Sequence, residues 1–379
     1  MTVQLKPVED QVIVITGASS GIGLATARMA AERGARLVLA ARNEEALREV
    51  AQDCTRRGGR AVPVMADVSR REDIERIART AIDTFGGFDT WVNDAAVALY
   101  GRLEEIPIDD QRRLWDVDYW GVVNGSLVAA KHLRSRGRGA IINIGSVLSD
   151  RTMIYQTQYS AAKHAVKAFT DGLRMELEAS GAPISVTLIK PSAIDTPYPE
   201  HARNYLEEPG LVTPPPQYDP HLVARAILFA AENPRRSLTV GFGGYAIGLA
   251  GTHFPRLTDY VMELTGYKAQ TTQQPGSRER QRRDNLYRPR EDGSEYSSLP
   301  GSSPRQTSLF LEAQLHPMAT AIALAGVGLA LGYALSGRRE RTNGAGRRLA
   351  PPLDRREARS LARHPRPLRD EKRAALARH

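Results

Sequence analysis

Residues 11–23 read Gln11-Val12-Ile13-Val14-Ile15-Thr16-Gly17-Ala18-Ser19-Ser20-Gly21-Ile22-Gly23, and the fold is decided here. Residues 11–16 are short, β-branched and apolar almost throughout, as a strand covered on both faces must be. From Gly21 the apolar residues take helical spacing as far as Arg33, and Gly34 ends the run. Glycines between a buried strand and a helix let the backbone turn tightly and approach a pyrophosphate. The helix N-terminus supplies N–H groups and the positive end of a dipole. Gly17, Ser19, Ser20, Gly21, Ile22 and Gly23 are therefore candidate cofactor-binding residues. A glycine-rich turn alone would be an ordinary loop; its place between strand and helix points to a dinucleotide.

Working outward, the alternation continues. Strands are expected at 35–41, 61–66, 88–92, 140–144, 184–189 and 237–240. Helices are expected at 44–57, 71–85, 108–133, 159–179 and 220–231. Strands alternating with helices imply right-handed crossovers and a parallel sheet. The expected fold is α/β, a Rossmann-like doubly wound parallel sheet of about seven strands with a C-terminal extension. Its ligand should lie at the carboxyl ends of the strands.

Composition agrees and divides the chain. Of 379 residues, 41% are hydrophobic and 25% charged, enough to bury a core. The lone Cys54 excludes an intramolecular disulfide and a cysteine-clustered zinc site. No secretory signal is visible, so a cytoplasmic catalytic domain is expected. The net charge of +9 belongs to the tail: residues 271–379 carry 21 Lys and Arg against 11 Asp and Glu. The main domain is nearly neutral, which speaks against nucleic acid as its partner. The expected organisation is a catalytic domain over 1–245 and its helical C-terminal part over 246–270. A polar linker follows over 271–316, then an uncharged helix over 317–337 and a basic disordered tail over 338–379.

Three further groups carry chemistry. At the end of the second strand stands Ala40-Ala41-Arg42-Asn43, without the carboxylate that would hold a ribose 2′-hydroxyl. Arg42 offers instead a planar guanidinium suited to a 2′-phosphate, which favours NADP(H) over NAD(H). In Tyr159-Ser160-Ala161-Ala162-Lys163 the tyrosine and lysine share one helix face. A nearby ammonium should lower the phenol's pKa and make Tyr159 a proton donor and acceptor. Ser146, past the fifth strand, can hydrogen-bond a substrate oxygen, with Ser149 as a competitor.

Together these residues resemble the short-chain dehydrogenase/reductase family in its single-domain branch, over about residues 8–245. The resemblance rests on Thr16–Gly23, Ala66-Asp67-Val68, Ser146 and Tyr159–Lys163, in order. It implies that Asp67 and Val68 flank the adenine, that Asn93 holds the central sheet near the cofactor, and that Lys163 also binds the nicotinamide ribose. It further implies that Pro191, Ile194 and Thr196 contact the carboxamide, and it adds Ala95 to the cofactor-binding set. Three positions depart from the family: Asn93-Asp94-Ala95-Ala96 replaces Asn-Asn-Ala-Gly, Ser192 replaces a glycine, and Asp118 stands at the helix asparagine of the catalytic tetrad. A carboxylate donates a hydrogen bond only when protonated, so the proton relay through Asp118 is in question.

The expected function is an NADPH-dependent oxidoreductase interconverting a carbonyl and an alcohol on a small apolar substrate, with no metal, in a homo-oligomer. Tyr100, Leu148, Met153, Tyr155 and Tyr198 are candidate pocket residues, and the Pro-rich segment 197–220 a candidate lid. The alternative is a catalytically weak cofactor-binding scaffold or regulator attached to a membrane through its tail. Residues 318–335 carry no charge and include Gly328-xxx-Gly332. They read as a membrane span, as an interfacial attachment or as a small-residue helix packed on protein. A chain ending near Gln270 would retain every motif named here.

Overall fold

Unbroken apolar runs need cover on both faces. Each of the seven becomes a strand in the computed structural model, which describes residues 3–206, 210–273, 283–290, 293–299, 303–327 and 329. The strands are β1 (Val12–Thr16), β2 (Arg36–Ala41), β3 (Arg60–Met65), β4 (Thr90–Asn93), β5 (Gly139–Ile144), β6 (Ile184–Pro191) and β7 (Ser237–Val240). All pairings in this sheet are parallel, in the order β7-β6-β5-β4-β1-β2-β3. The chain reverses its direction of travel between β1 and β4, and the crevice for a ligand opens at that point.

The helices are α1 (Gly21–Glu32), α2 (Glu44–Arg56), α3 (Arg71–Phe85), α4 (Ile108–Trp115), α5 (Gly121–Arg136), α6 (Thr157–Ala179) and α7 (Pro220–Glu232). They cover both faces of the sheet. Ile13 and Ile15 of β1 bury against Leu24 of α1 and Ile227 of α7. Val12 and Val14 turn the other way, into a cluster with Ile74 and Ile77 of α3 and Leu133 of α5. Each such side chain contributes roughly 1.5–3 kcal/mol of burial. This alternation within one short apolar strand is what a two-faced sheet requires.

The structure differs from the sequence reading in three places. Residues 108–133 do not form one regular helix: α4 and α5 are joined by a π-helical turn, Asp116–Trp120. Residues 246–270 belong to a pair of helices that begins earlier, α8 (Phe242–His253) and α9 (Pro255–Gln270). Where composition suggests a linker over 271–316, much of the segment packs on the α/β unit instead. Leu286 is buried, and α10 (Leu309–Leu315) buries Leu311 and Leu315 in the core. Residues 1–317 form one compact unit and 318–379 another. In the second, residues 318–327 are helical. No helix among the described residues is long and apolar enough to cross a membrane. Residues 330–335 and the Arg-rich end lie outside the described residues.

Candidate active site

The turn after β1 is shaped by what a side chain would strike. A Cβ on Gly23 would come within 2.3 Å of the Gly17 carbonyl oxygen, so α1 can start this close to the turn only with glycine there. The turn and the end of β2 form one side of a cavity of about 700 Å³ at the carboxyl ends of the strands. Fifteen of the eighteen predicted site residues line it: Gly17, Ser19, Ser20, Gly21, Ile22, Arg42, Asp67, Val68, Ala95, Ser146, Tyr159, Lys163, Pro191, Ile194 and Thr196. Such a groove, with glycines at a helix N-terminus and a guanidinium at the next strand end, fits a dinucleotide.

Three predicted residues do not reach the cavity. Gly23 serves the close approach just described. Asn93 is buried in the sheet, where its Nδ2 donates to Asn143 Oδ1 at 2.8 Å and its Oδ1 accepts from Trp91 Nε1 at 2.8 Å. Asp118 lies on the π-helical turn, fully buried behind Lys163.

The candidate reactive group is built from α6 and the end of β5. Tyr159 and Lys163 lie one turn apart on α6, with the Lys163 ammonium 5.4 Å from the centre of the Tyr159 ring. Lys163 Nζ donates to the Ile144 carbonyl at 3.2 Å and stands 3.7 Å from Asp118 Oδ2. That separation is an ion pair and too long for a hydrogen bond. Asp118 Oδ1 accepts from the Val97 amide at 2.8 Å, and Oδ2 has no hydrogen-bond partner. The two serines separate by role. Ser146 lines the cavity and faces the Tyr159 phenol, while Ser149 turns inward and accepts from the Ser146 amide at 3.2 Å.

Electrostatics here run against one sequence expectation. Burial, and after it the Asp118 carboxylate, push the Tyr159 phenol above its ordinary range, the direction opposite to that expected from Lys163 alone. The Tyr198 and Ser146 hydroxyls pull the other way. Burial also lifts Asp118 to about 6 and Asp94 to about 7, with Lys163 opposing the rise in both. Asp94 is a residue sequence reasoning passed over, although its departure from the family pattern was visible.

Tyr100, Leu148, Met153 and Tyr198 line the cavity as expected. Tyr155 does not; its ring packs on Tyr267, 5.6 Å between centres. From the candidate lid, Pro197, Tyr198, His201 and residues 213–216 reach the cavity. The larger omission is the α8–α9 pair and Phe254 at their junction: Ile247, Ala250, Phe254, Leu257, Val261 and Thr265 all belong to the wall. These positions recur at three- and four-residue intervals, the spacing of one helical face. Arg42 lies where predicted, and its guanidinium donates to the main-chain carbonyls of Asn285 and, at 3.1 Å, Leu286.

Comparison with known proteins places these features in a family. Residues 11–206 match the family model described as short chain dehydrogenase. An uncharacterized oxidoreductase of Bacillus subtilis, YxnA, is 46% identical over 333 residues, 86% of this chain and 90% of its own. An alcohol dehydrogenase from Thermococcus sibiricus, solved in complex with 5-hydroxy-NADP, superposes with a TM-score of 0.53 at 26% identity, covering 61% of this chain and 95% of its own. A Burkholderia phymatum short chain dehydrogenase/reductase, in complex with NAD, gives 0.59 at 25% identity, covering 68% and 96%.

Proposed function

This chain belongs to the short-chain dehydrogenase family and is an oxidoreductase of that type with a nicotinamide-cofactor fold; from that premise we propose that it is NADPH-dependent and interconverts a carbonyl and an alcohol on an apolar substrate. The observation that carries the proposal is the meeting of Ser146, Tyr159 and Lys163 on one wall of a cavity that also takes in Arg42, at a β2 end that carries no carboxylate. A bound nicotinamide dinucleotide supplies or accepts the hydride. The chain's own residues do the rest. Ser146 orients the substrate oxygen, and Tyr159 passes its hydroxyl proton to that oxygen in reduction and takes it back in oxidation. Lys163 supplies positive charge beneath the phenol. Asp118 holds Lys163 from behind and is a positioning residue. The apolar stripe of α8 and α9 suits an uncharged substrate body.

Arg42 supports the choice of NADP(H), because a guanidinium meets a dianionic phosphate with paired donors. The test is a panel of apolar aldehydes and ketones read by NADPH absorbance, with dissociation constants for both dinucleotides. NADPH should bind at least about tenfold more tightly than NADH, and Arg42→Ala should erase most of the difference. Equal affinities in the unaltered protein would refute the assignment.

A further inference from the structure

Two stretches beyond the family-matched region, residues 283–290 and 293–299, lie across the dinucleotide groove and are tied to both of its banks. On the adenosine side, the Asn285 and Leu286 carbonyls accept from Arg42, and Leu286 also accepts from Arg113 Nε at 3.1 Å. Asn43 Nδ2 donates to the Arg290 carbonyl at 3.0 Å, and the Leu286 side chain is fully buried. On the glycine-turn side, the Gly21 amide donates to the Ser294 carbonyl at 2.9 Å, and the Gly293 amide donates back to the Ser19 carbonyl at 2.7 Å. Glu295 is buried against Arg28, 2.8 Å away. Between these anchors, Asn285, Pro289 and Arg290 face the same cavity as the glycine turn.

We propose that these two stretches are the roof of the dinucleotide site, with Asn285 and Arg290 as further binding residues toward the adenosine end, and that the roof must lift for the cofactor to enter or leave. The cavity runs beneath them and touches the glycine turn, Arg42, Asp67 and Val68, so a dinucleotide there lies between turn and roof. Arg42 and Arg290 then flank the adenosine end from two sides, the Arg290 guanidinium braced by the Glu200 carbonyl, and both can donate charge-assisted hydrogen bonds. Lifting the roof breaks the bonds named above and exposes Leu286. Such local opening is slower than free diffusion from an open groove. The proposal rests on the dinucleotide reading of the site and is independent of the choice between NADPH and NADH.

Gly293 gives a clean test. Its φ of +96° disfavours any side chain, and no atom lies within 4 Å of a Cβ placed there, so Gly293→Val strains the anchor without a clash. Leu286→Ala weakens the other anchor by removing buried contacts. In the full-length protein, release of NADPH and of NADH is followed by stopped-flow fluorescence after a chase with excess oxidised dinucleotide. Hydrogen exchange over residues 283–299 reports whether the roof is docked. The expected result is release at least tenfold faster in both variants, for both dinucleotides, together with faster amide exchange in the roof. Release within twofold of the unaltered protein in both variants overturns the proposal. So does a tenfold gain in equilibrium affinity on undocking, which would make these residues an occupant of the groove that the cofactor displaces. Binding of neither dinucleotide by the unaltered protein would instead refute the proposed function.

Discussion

Asp118 carries the sharpest consequence at the scale of single residues. Its carboxyl is buried, which pushes its pKa up to about 6, and its negative charge helps to raise the phenol of Tyr159. With Tyr159 as the proposed proton donor, reduction should slow as pH rises through the phenol's range. Asp118→Asn removes the negative charge and should move that fall to lower pH; a basic limb left in place would confine Asp118 to packing. The motif residues were legible because their chemistry demands fixed types at fixed spacing: glycines at the turn, tyrosine and lysine on one helix face. The direction of the Tyr159 shift was not, because it depends on burial and on Asp118, which is 41 residues away in sequence and arrives over a π-helical turn. Asp94 escaped for the same reason, since its rise to about 7 comes from burial.

Among the elements, the strands were read to within about two residues because each is an apolar run bounded by polar or glycine signals. The turn between β1 and α1 is the most constrained of the connections. Gly23→Ala would place a methyl 2.3 Å from the Gly17 carbonyl and 2.8 Å from Asp94 Oδ2. Overpacking of this kind costs about 1–3 kcal/mol and here would open the turn. Dinucleotide affinity should fall at least tenfold by fluorescence titration, with catalytic-group geometry untouched; unchanged affinity would mean that the turn does not hold the phosphates. What the sequence left obscure lies after residue 240. The α8–α9 pair is apolar on faces that line the cavity and on faces that meet solvent, so its composition does not say which side is inner. Phe254 and Leu257 line the wall while 64% and 63% exposed.

For the molecule as a whole, the catalytic unit reaches further along the chain than its motifs do. Every motif lies before residue 270, yet Leu286, Leu311 and Leu315 complete the core from beyond it. Their polar, Arg- and Ser-rich surroundings read as linker because a few buried leucines and many main-chain hydrogen bonds leave no periodic pattern. A chain ending at Gln270 loses three buried leucines, at about 2 kcal/mol each, and its melting temperature should drop by about 10 °C or more. A chain ending at Pro317 keeps the whole first unit and should melt within about 2 °C of full length; equal melting of both truncated chains would contradict this division. Tyr159→Phe in the full-length protein tests the chemistry itself, because it keeps the ring and removes only the transferable proton. NADPH-dependent carbonyl reduction should fall by about 10²-fold or more while NADPH still binds. Turnover at the level of the unaltered enzyme would mean that the proton comes from elsewhere.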